Sequence, residues 1–191
     1  MDEDLRPYVR MIKEGDEQAF QYVYNRTKEA VYRTVYLLAG DRADVCDTVS
    51  EIYWQMIRSL DKYDDNKPFR SWLNGLIVRQ VHNANRKLWR RLRIAEKNRN
   101  TEIERYADTP ELDTIAAEQR REVAGWLGKL SVKLRTVIVL RYYQDMTLQD
   151  IADTLGIPLG TVKSRHDLAI RKLRVLSGAD HFEKEASVHV Y

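Results

Sequence analysis

Apolar residues recur at spacings of three and four along most of the chain. From Asp16 to Leu38, the positions Phe20, Val23, Tyr24, Thr27, Val31, Val35 and Leu38 line one side of a helix. Asp16, just after Gly15, is placed to cap its start. A second helix is predicted over about residues 41–60, with Val45, Val49, Ile52, Tyr53, Met56, Ile57 and Leu60 as its apolar stripe. Residues 61–68 are polar and end in Pro68, which disfavours helix at the residue before it, so they are predicted to form a loop. A third helix carries Phe69, Trp72, Leu73, Leu76, Ile77, Val81, Ala84 and Leu88. Three facing stripes predict one helical bundle over residues 1–92.

From 93 to 110 the apolar signal thins and charge dominates. This segment reads as a linker, part of which can continue the preceding helix. Thr109-Pro110-Glu111 has the form of a new helix start. Helical spacing then resumes through Leu112, Ile115, Ala116, Val123, Leu127 and Leu130, and on to Leu134, Val137, Ile138 and Leu140. A second domain is therefore predicted over 111–176, with a polar, aperiodic tail over 177–191. No alternating strand pattern of useful length occurs. The predicted class is all-α: an N-terminal helical bundle and a C-terminal helix-turn-helix domain joined by a flexible linker.

Composition narrows the functional classes. Gly (8) and Pro (4) are scarce among 191 residues, in keeping with helices. The single cysteine, Cys46, excludes an internal disulfide and a cysteine-cluster metal site, and fits a reducing, cytoplasmic setting. The acidic start lacks the features of a secretory signal, and no apolar run reaches bilayer length. The formal net charge is only +3. Its distribution matters more. Seven basic residues and one acid, Glu96, lie between Arg86 and Arg99, and a second basic cluster runs from Lys163 to Arg174. Two such blocks in a nearly neutral chain suit a polyanion at two places, the alternative being solvated helix faces. His82, His166, His181 and His189 have no metal-ligand spacing, and there is no phosphate-cradling Gly-rich loop or nucleophile elbow. No catalytic activity, metal or cofactor is expected.

The most informative segment lies between Met146 and Arg174. Thr147 precedes a short helix that buries Leu148, Ile151, Ala152 and Leu155. Gly156-Ile157-Pro158 breaks it, and Leu159-Gly160-Thr161 opens the next, where Thr161 or a neighbouring backbone group can cap. Val162, Ala169 and Leu173 keep one side inward, leaving Lys163, Ser164, Arg165, Arg171 and Lys172 free to point outward. This is a helix-turn-helix pattern. Ala152 is small where two helices must approach, and Gly156 suits an unusual backbone conformation. Lys163 and Arg165 can reach guanine edges or phosphates, and Thr161 and Ser164 can bond phosphate oxygens.

The segment Gly156-Ile157-Pro158-Leu159-Gly160-Thr161-Val162-Lys163-Ser164-Arg165 resembles the promoter-reading domain of extracytoplasmic-function sigma factors, bacterial RNA polymerase subunits that direct transcription initiation. Leu130-Ser131 through Tyr142 and Thr147 through Ala152 share that resemblance. In the first half, Gly15-Asp16-Glu17-Gln18-Ala19-Phe20 resembles the family's opening. Asp44 through Tyr53 resembles the helix that docks on the polymerase clamp, and Phe69-Arg70-Ser71-Trp72-Leu73 the start of the helix that melts and reads the minus-ten element. The resemblance covers about residues 12–176.

It implies core RNA polymerase (largest-subunit clamp and flap) and promoter DNA as partners, with an anti-sigma factor that occludes the polymerase-binding surfaces. Asp44, Asp47, Ser50 and Glu51 are then clamp-docking candidates, with Ser50 standing where the family usually has Gln. The loop over 61–68 corresponds to the family's specificity loop, which captures a flipped base. Tyr63, Asp64 and Asn66 offer the groups for it. Arg70, Ser71, Arg86, Lys87, Arg90 and Arg91 are candidates for phosphates; Trp72 could serve as a stacking platform, but its place on the apolar stripe favours a core role. The family's usual Asn falls on Arg79, or on Gln80 with a one-residue slip; with Asn83 these are the base-preference candidates. For the minus-thirty-five element the candidates are Thr161, Lys163, Ser164, Arg165, Arg171 and Lys172. His166 stands where Leu is preferred and is expected to be a satisfied structural histidine, and Asp167-Leu168 replaces a more basic pair. Binding by the free protein should be weak, because one helix-turn-helix domain buries only about 600–1,000 Å² against DNA. A regulator that acts without polymerase is the competing class, but it leaves the N-terminal bundle without a use.

Overall fold

A computed structural model describes residues 4–39, 45–97 and 115–177, with side chains described for 4–39, 45–86 and 122–177. The chain forms two compact units, Met1–Tyr106 and Ala107–Tyr191. All regular elements among the described residues are helical.

Among the described residues, the first unit holds four α-helices rather than the three expected. Helix α1 (Arg6–Lys13) precedes α2 (Glu17–Ala39), α3 (Val45–Ser59) and α4 (Phe69–Lys97). Helix α1 is short, with Pro in its first turn and Val9 fully buried. Tyr8 stacks on Tyr22 of α2 at 4.1 Å between ring centroids, which fastens α1 to α2. Between them Gly15 takes φ +91°, and the Asp16 carboxylate accepts a 2.9 Å bond from the Ala19 N–H, capping α2 as expected.

Val23, Val31, Val35 and Leu38 of α2 meet Ile52, Tyr53 and Met56 of α3 and the middle of α4 in one core. Leu73 through Val78 of α4 are all buried, Asn74 and Gly75 included, because α2 and α3 both pack on this helix. The single stripe read from spacing widens there into a belt. Tyr53 donates its hydroxyl proton to Thr27 Oγ1 at 2.9 Å, since Thr27 spends its own on the Val23 carbonyl at 2.7 Å. Burial pushes the Tyr53 phenol up to about 12. Ile57, expected inside, is 46% exposed, whereas Thr48, one turn before Ile52, is buried. Helix α4 runs to Lys97, five residues into the segment predicted as linker; 98–110 lie outside the described residues.

The second unit comprises α5 (Ile115–Gly128), α6 (Val132–Ile138) with a π-helical turn (Val139–Tyr143), α7 (Leu148–Leu155) and α8 (Leu159–Ser177). Every residue from Leu134 to Leu140 is buried, making α6 the centre of this unit. Arg135, only 7% exposed, donates from Nη2 to the carbonyls of Gly128 (2.9 Å) and Leu130 (3.1 Å), so its charge meets the negative end of α5. The helix start predicted at 109–111 lies outside the described residues, as does the tail beyond Ser177.

Candidate nucleic-acid interfaces

The helix-turn-helix is built by local chemistry that fixes where α8 points. Thr147 and Asp150 form a reciprocal cap on α7. The Asp150 N–H donates to Thr147 Oγ1 at 3.1 Å, and the Thr147 N–H donates to Asp150 Oδ2 at 3.1 Å. Gly156 ends α7 in the left-handed region at φ +63°, the conformation expected of it. Ile157 N–H bonds back to the Ala152 carbonyl at 3.1 Å. The Pro158 carbonyl then accepts from both Thr161 (2.9 Å) and Val162 (3.2 Å), so α8 begins at Leu159. Thr161 sits inside the first turn and is not the cap, which corrects one of the two options read from sequence.

Val162 and Ala169 are completely buried and Leu173 nearly so, with Ile151 and Ala152 of α7 also inside. Lys163, Ser164, Arg171 and Lys172 are exposed, while Thr161 and Arg165 are half-buried. Ser164 donates to the Thr161 carbonyl at 3.1 Å, which leaves its oxygen outward as an acceptor. Its hydroxyl must give up that bond before it can serve a phosphate. His166 is partnered. Its Nε2 shares a 3.0 Å hydrogen bond with the Tyr142 hydroxyl, its ring lies 5.8 Å from that of Tyr142, and Nδ1 is 3.2 Å from Asp167 Oδ1. The histidine thus ties α8 to the π-helical turn.

On α4, Arg79, Asn83 and Arg86 are exposed and recur at spacings that place them on one side; Gln80 beside them is half-buried. Lys87, Arg90 and Arg91 lie on the same helix, with side chains outside the described residues. Arg70 is exposed and Ser71 half-buried, but Arg70 precedes Arg79 by about two and a half turns and so faces the other side. The structure does not bring Arg70 onto the Arg79–Arg86 stripe.

The loop before α4 is folded, not open. A 3₁₀ turn (Leu60–Lys62) leads into Tyr63, which is only 4% exposed. Its ring packs edge-on against Phe69 (5.6 Å, 82°) and against Trp72 (5.2 Å) of α4, and its hydroxyl donates to the Lys67 carbonyl. Tyr63 therefore offers no face for a base; this corrects its reading as a contact candidate. Trp72 packs with Phe69 as well as Tyr63, in keeping with a core role. Asp64 and Asn66 stay exposed, the Asp64 carboxylate accepting from the Asn66 N–H and Nδ2, each at 3.0 Å.

On α3, Asp47, Ser50 and Glu51 are exposed along one side of the helix; Asp44 lies outside the described residues. The same side continues to Trp54, 55% exposed, with the Arg58 guanidinium 5.8 Å from its ring centre. Trp54 escaped the sequence reading, although a tryptophan one residue off an apolar stripe was the available signal.

Comparison with known proteins accounts for both units. Residues 23–91 match Sigma-70 region 2, and residues 126–175 match Sigma-70, region 4. The ECF RNA polymerase sigma factor SigK of Mycobacterium sp. (strain KMS) is 30% identical over 177 residues, covering 90% of this chain and 89% of SigK. The chain is an ECF RNA polymerase sigma factor. The similar ECF RNA polymerase sigma factor SigW of Bacillus subtilis (strain 168) shares 27% identity over 168 residues, 84% of this chain and 90% of SigW. A co-crystal structure of the sigma factor RpoE with the anti-sigma factor NepR from Bartonella quintana has the same fold. Its TM-score is 0.68 at 22% identity, over 85% of this chain and 98% of RpoE. As a sigma factor, the protein binds core RNA polymerase and directs promoter-specific transcription initiation. No helix among the described residues is long and apolar enough to cross a membrane.

Proposed function

We propose that the two units of this sigma factor divide the work of initiation. The exposed side of α3, with Asp47, Ser50, Glu51 and Trp54, docks on the polymerase clamp, and Asp44 extends it. Asp64 and Asn66 of the loop, with Gln80 and the Arg79–Asn83–Arg86 stripe of α4, read the minus-ten element. Lys87, Arg90 and Arg91 hold phosphates beyond that stripe, and Ser71 and Arg70 do so at the helix start. In the second unit, α8 enters the major groove of the minus-thirty-five element through Thr161, Lys163, Ser164 and Arg165. Arg171 and Lys172 then hold the flanking backbone.

The observation that carries this reading is the disposition of α8. A capping box, a left-handed Gly156 and three buried apolar residues leave its basic side chains on the open side. In this reading the domains are 1–92 for polymerase and minus-ten binding and 111–176 for minus-thirty-five binding, with 93–110 as a linker whose first residues continue α4 to Lys97. The protein acts in the cytoplasm without catalytic groups of its own, and an anti-sigma factor holds it inactive by covering the α3 face. The pairing of RpoE with NepR supports that control.

Mixing the protein with sigma-free core polymerase and a genomic promoter library, then sequencing the initiated transcripts, tests the reading. Start sites preceded by two motifs at constant spacing are expected. Absence of core binding, or initiation indifferent to both motifs, would overturn it.

A further inference from the structure

Helix α1 lies upstream of the residues that match region 2 and was not expected from spacing, yet it touches the loop before α4. Arg10 Nε reaches Asp65 Oδ2 at 3.0 Å, and Lys13 Nζ reaches Asp65 Oδ1 at 3.2 Å. One cation on each oxygen fixes the carboxylate in both position and rotation. Lys13 also donates to the Tyr63 carbonyl at 3.3 Å and stands 5.6 Å from the centre of the Tyr63 ring. Two points of the loop, 50 and more residues away in sequence, are thus tied to α1. Helix α1 is itself immobilised by buried Val9 and by the Tyr8–Tyr22 stack. The Tyr63 ring against Phe69 and Trp72 anchors the start of the loop to α4, and the bonds within it, Lys67 N–H to the Asp64 carbonyl at 2.9 Å and Asn66 to Asp64, make it compact; the grip from α1 adds a hold on its Asp65 side. The paired cations hold the Asp65 carboxyl below the usual carboxylate range, Lys13 foremost.

We propose that α1 is a positioning element for promoter reading: Arg10 and Lys13, gripping Asp65, hold the Tyr63–Lys67 turn in the shape that presents Asp64 and Asn66. This rests on the reading of that loop as part of the minus-ten site. A loop already ordered pays less conformational entropy when it captures a base, so the grip sharpens discrimination between bases.

The test uses holoenzyme reconstituted with core polymerase, on a promoter recovered by transcript sequencing and on copies with single minus-ten bases changed. The chains compared are wild type, Arg10→Gln with Lys13→Gln, Asp65→Asn, and all three changes together. Each of the first two variants is expected to lose roughly two- to fivefold in base discrimination. The triple variant should be no worse than either, and Lys13→Arg alone should retain discrimination. Thermal melts of each chain verify folding, and Asp65→Asn keeps the test decisive if the α1 variant does not fold. A uniform fall in initiation across all promoters, with a shallower salt dependence and no effect of Asp65→Asn, would mean that α1 contacts phosphate directly and would overturn the proposal. So would unchanged discrimination. Asp64→Ala with Asn66→Ala separates the two ideas. If it abolishes discrimination while the α1 variants keep it, positioning alone fails; if it too has no effect, the loop reading fails and the positioning role with it.

Discussion

Trp54 stands in the middle of the α3 face proposed to meet the polymerase clamp, and its replacement tests that face most directly. A tryptophan presents about 250 Å² when fully accessible. With 55% of its surface exposed, about 140 Å² of Trp54 is open to water on the free protein. Covering that area is worth about 3.5 kcal/mol at roughly 25 cal/mol per Å². Part of this is offset by the loss of side-chain freedom and by the Cβ that alanine retains, which leaves about 2 kcal/mol, or roughly 30-fold in Kd. Tryptophan is also the residue most often found to dominate alanine scans of interfaces. Trp54→Ala should therefore weaken core binding by that factor in a competition assay against labelled wild-type protein. Trp54→Phe should recover most of the loss. Ile57→Ala, at the edge of the face, should stay within about threefold. Promoter sequence preference in the residual complex should not move. Core affinity unchanged by Trp54→Ala, in protein whose melting profile shows it folded, would refute α3 as the docking helix.

Gly156→Ala places a Cβ at φ +63° and should destabilise the second unit by about 1 kcal/mol. Gly125→Ala, in an exposed helical position with nothing within 4 Å of the added Cβ, should stabilise it by about 0.5–1 kcal/mol; denaturant midpoints distinguish the two signs. Lys163→Ala and Arg171→Ala should weaken holoenzyme binding to the minus-thirty-five element. Any variant that loses a phosphate contact should also lower the salt slope by about 0.9. Asp167→Asn, which removes an exposed carboxylate from the basic side of α8, should strengthen binding at low salt in the same titration. Tyr53→Phe should cost about 1 kcal/mol near neutral pH. The folded phenol, pushed up to about 12, lies above its ordinary value of 10.0, so its contribution is complete below pH 10.0 and lost as pH rises towards 12. Stability of the Phe variant should accordingly fall less than wild type across that window.

What the sequence alone determined was the part governed by local spacing. Helix α2 and its Asp16 cap, the Thr147–Leu155 helix, the Gly156 turn and the buried residues of α8 all follow from interactions within a few residues, and the motif that names the family lies there. Helix α1 was not legible, because one fully buried residue among eight gives no periodicity to read. Tertiary structure decided the rest. Tyr63 folds inward because Phe69 and Trp72 offer it a surface that no local rule announces. Leu73 through Val78 are enclosed on all sides because two helices pack on α4. Trp54 stays exposed because no described helix covers its side of α3, although its chemistry matches that of the core. The grip on Asp65 joins residues 52 and 55 apart in the chain, and only the folding of α1 against α2 brings those charges within bonding distance.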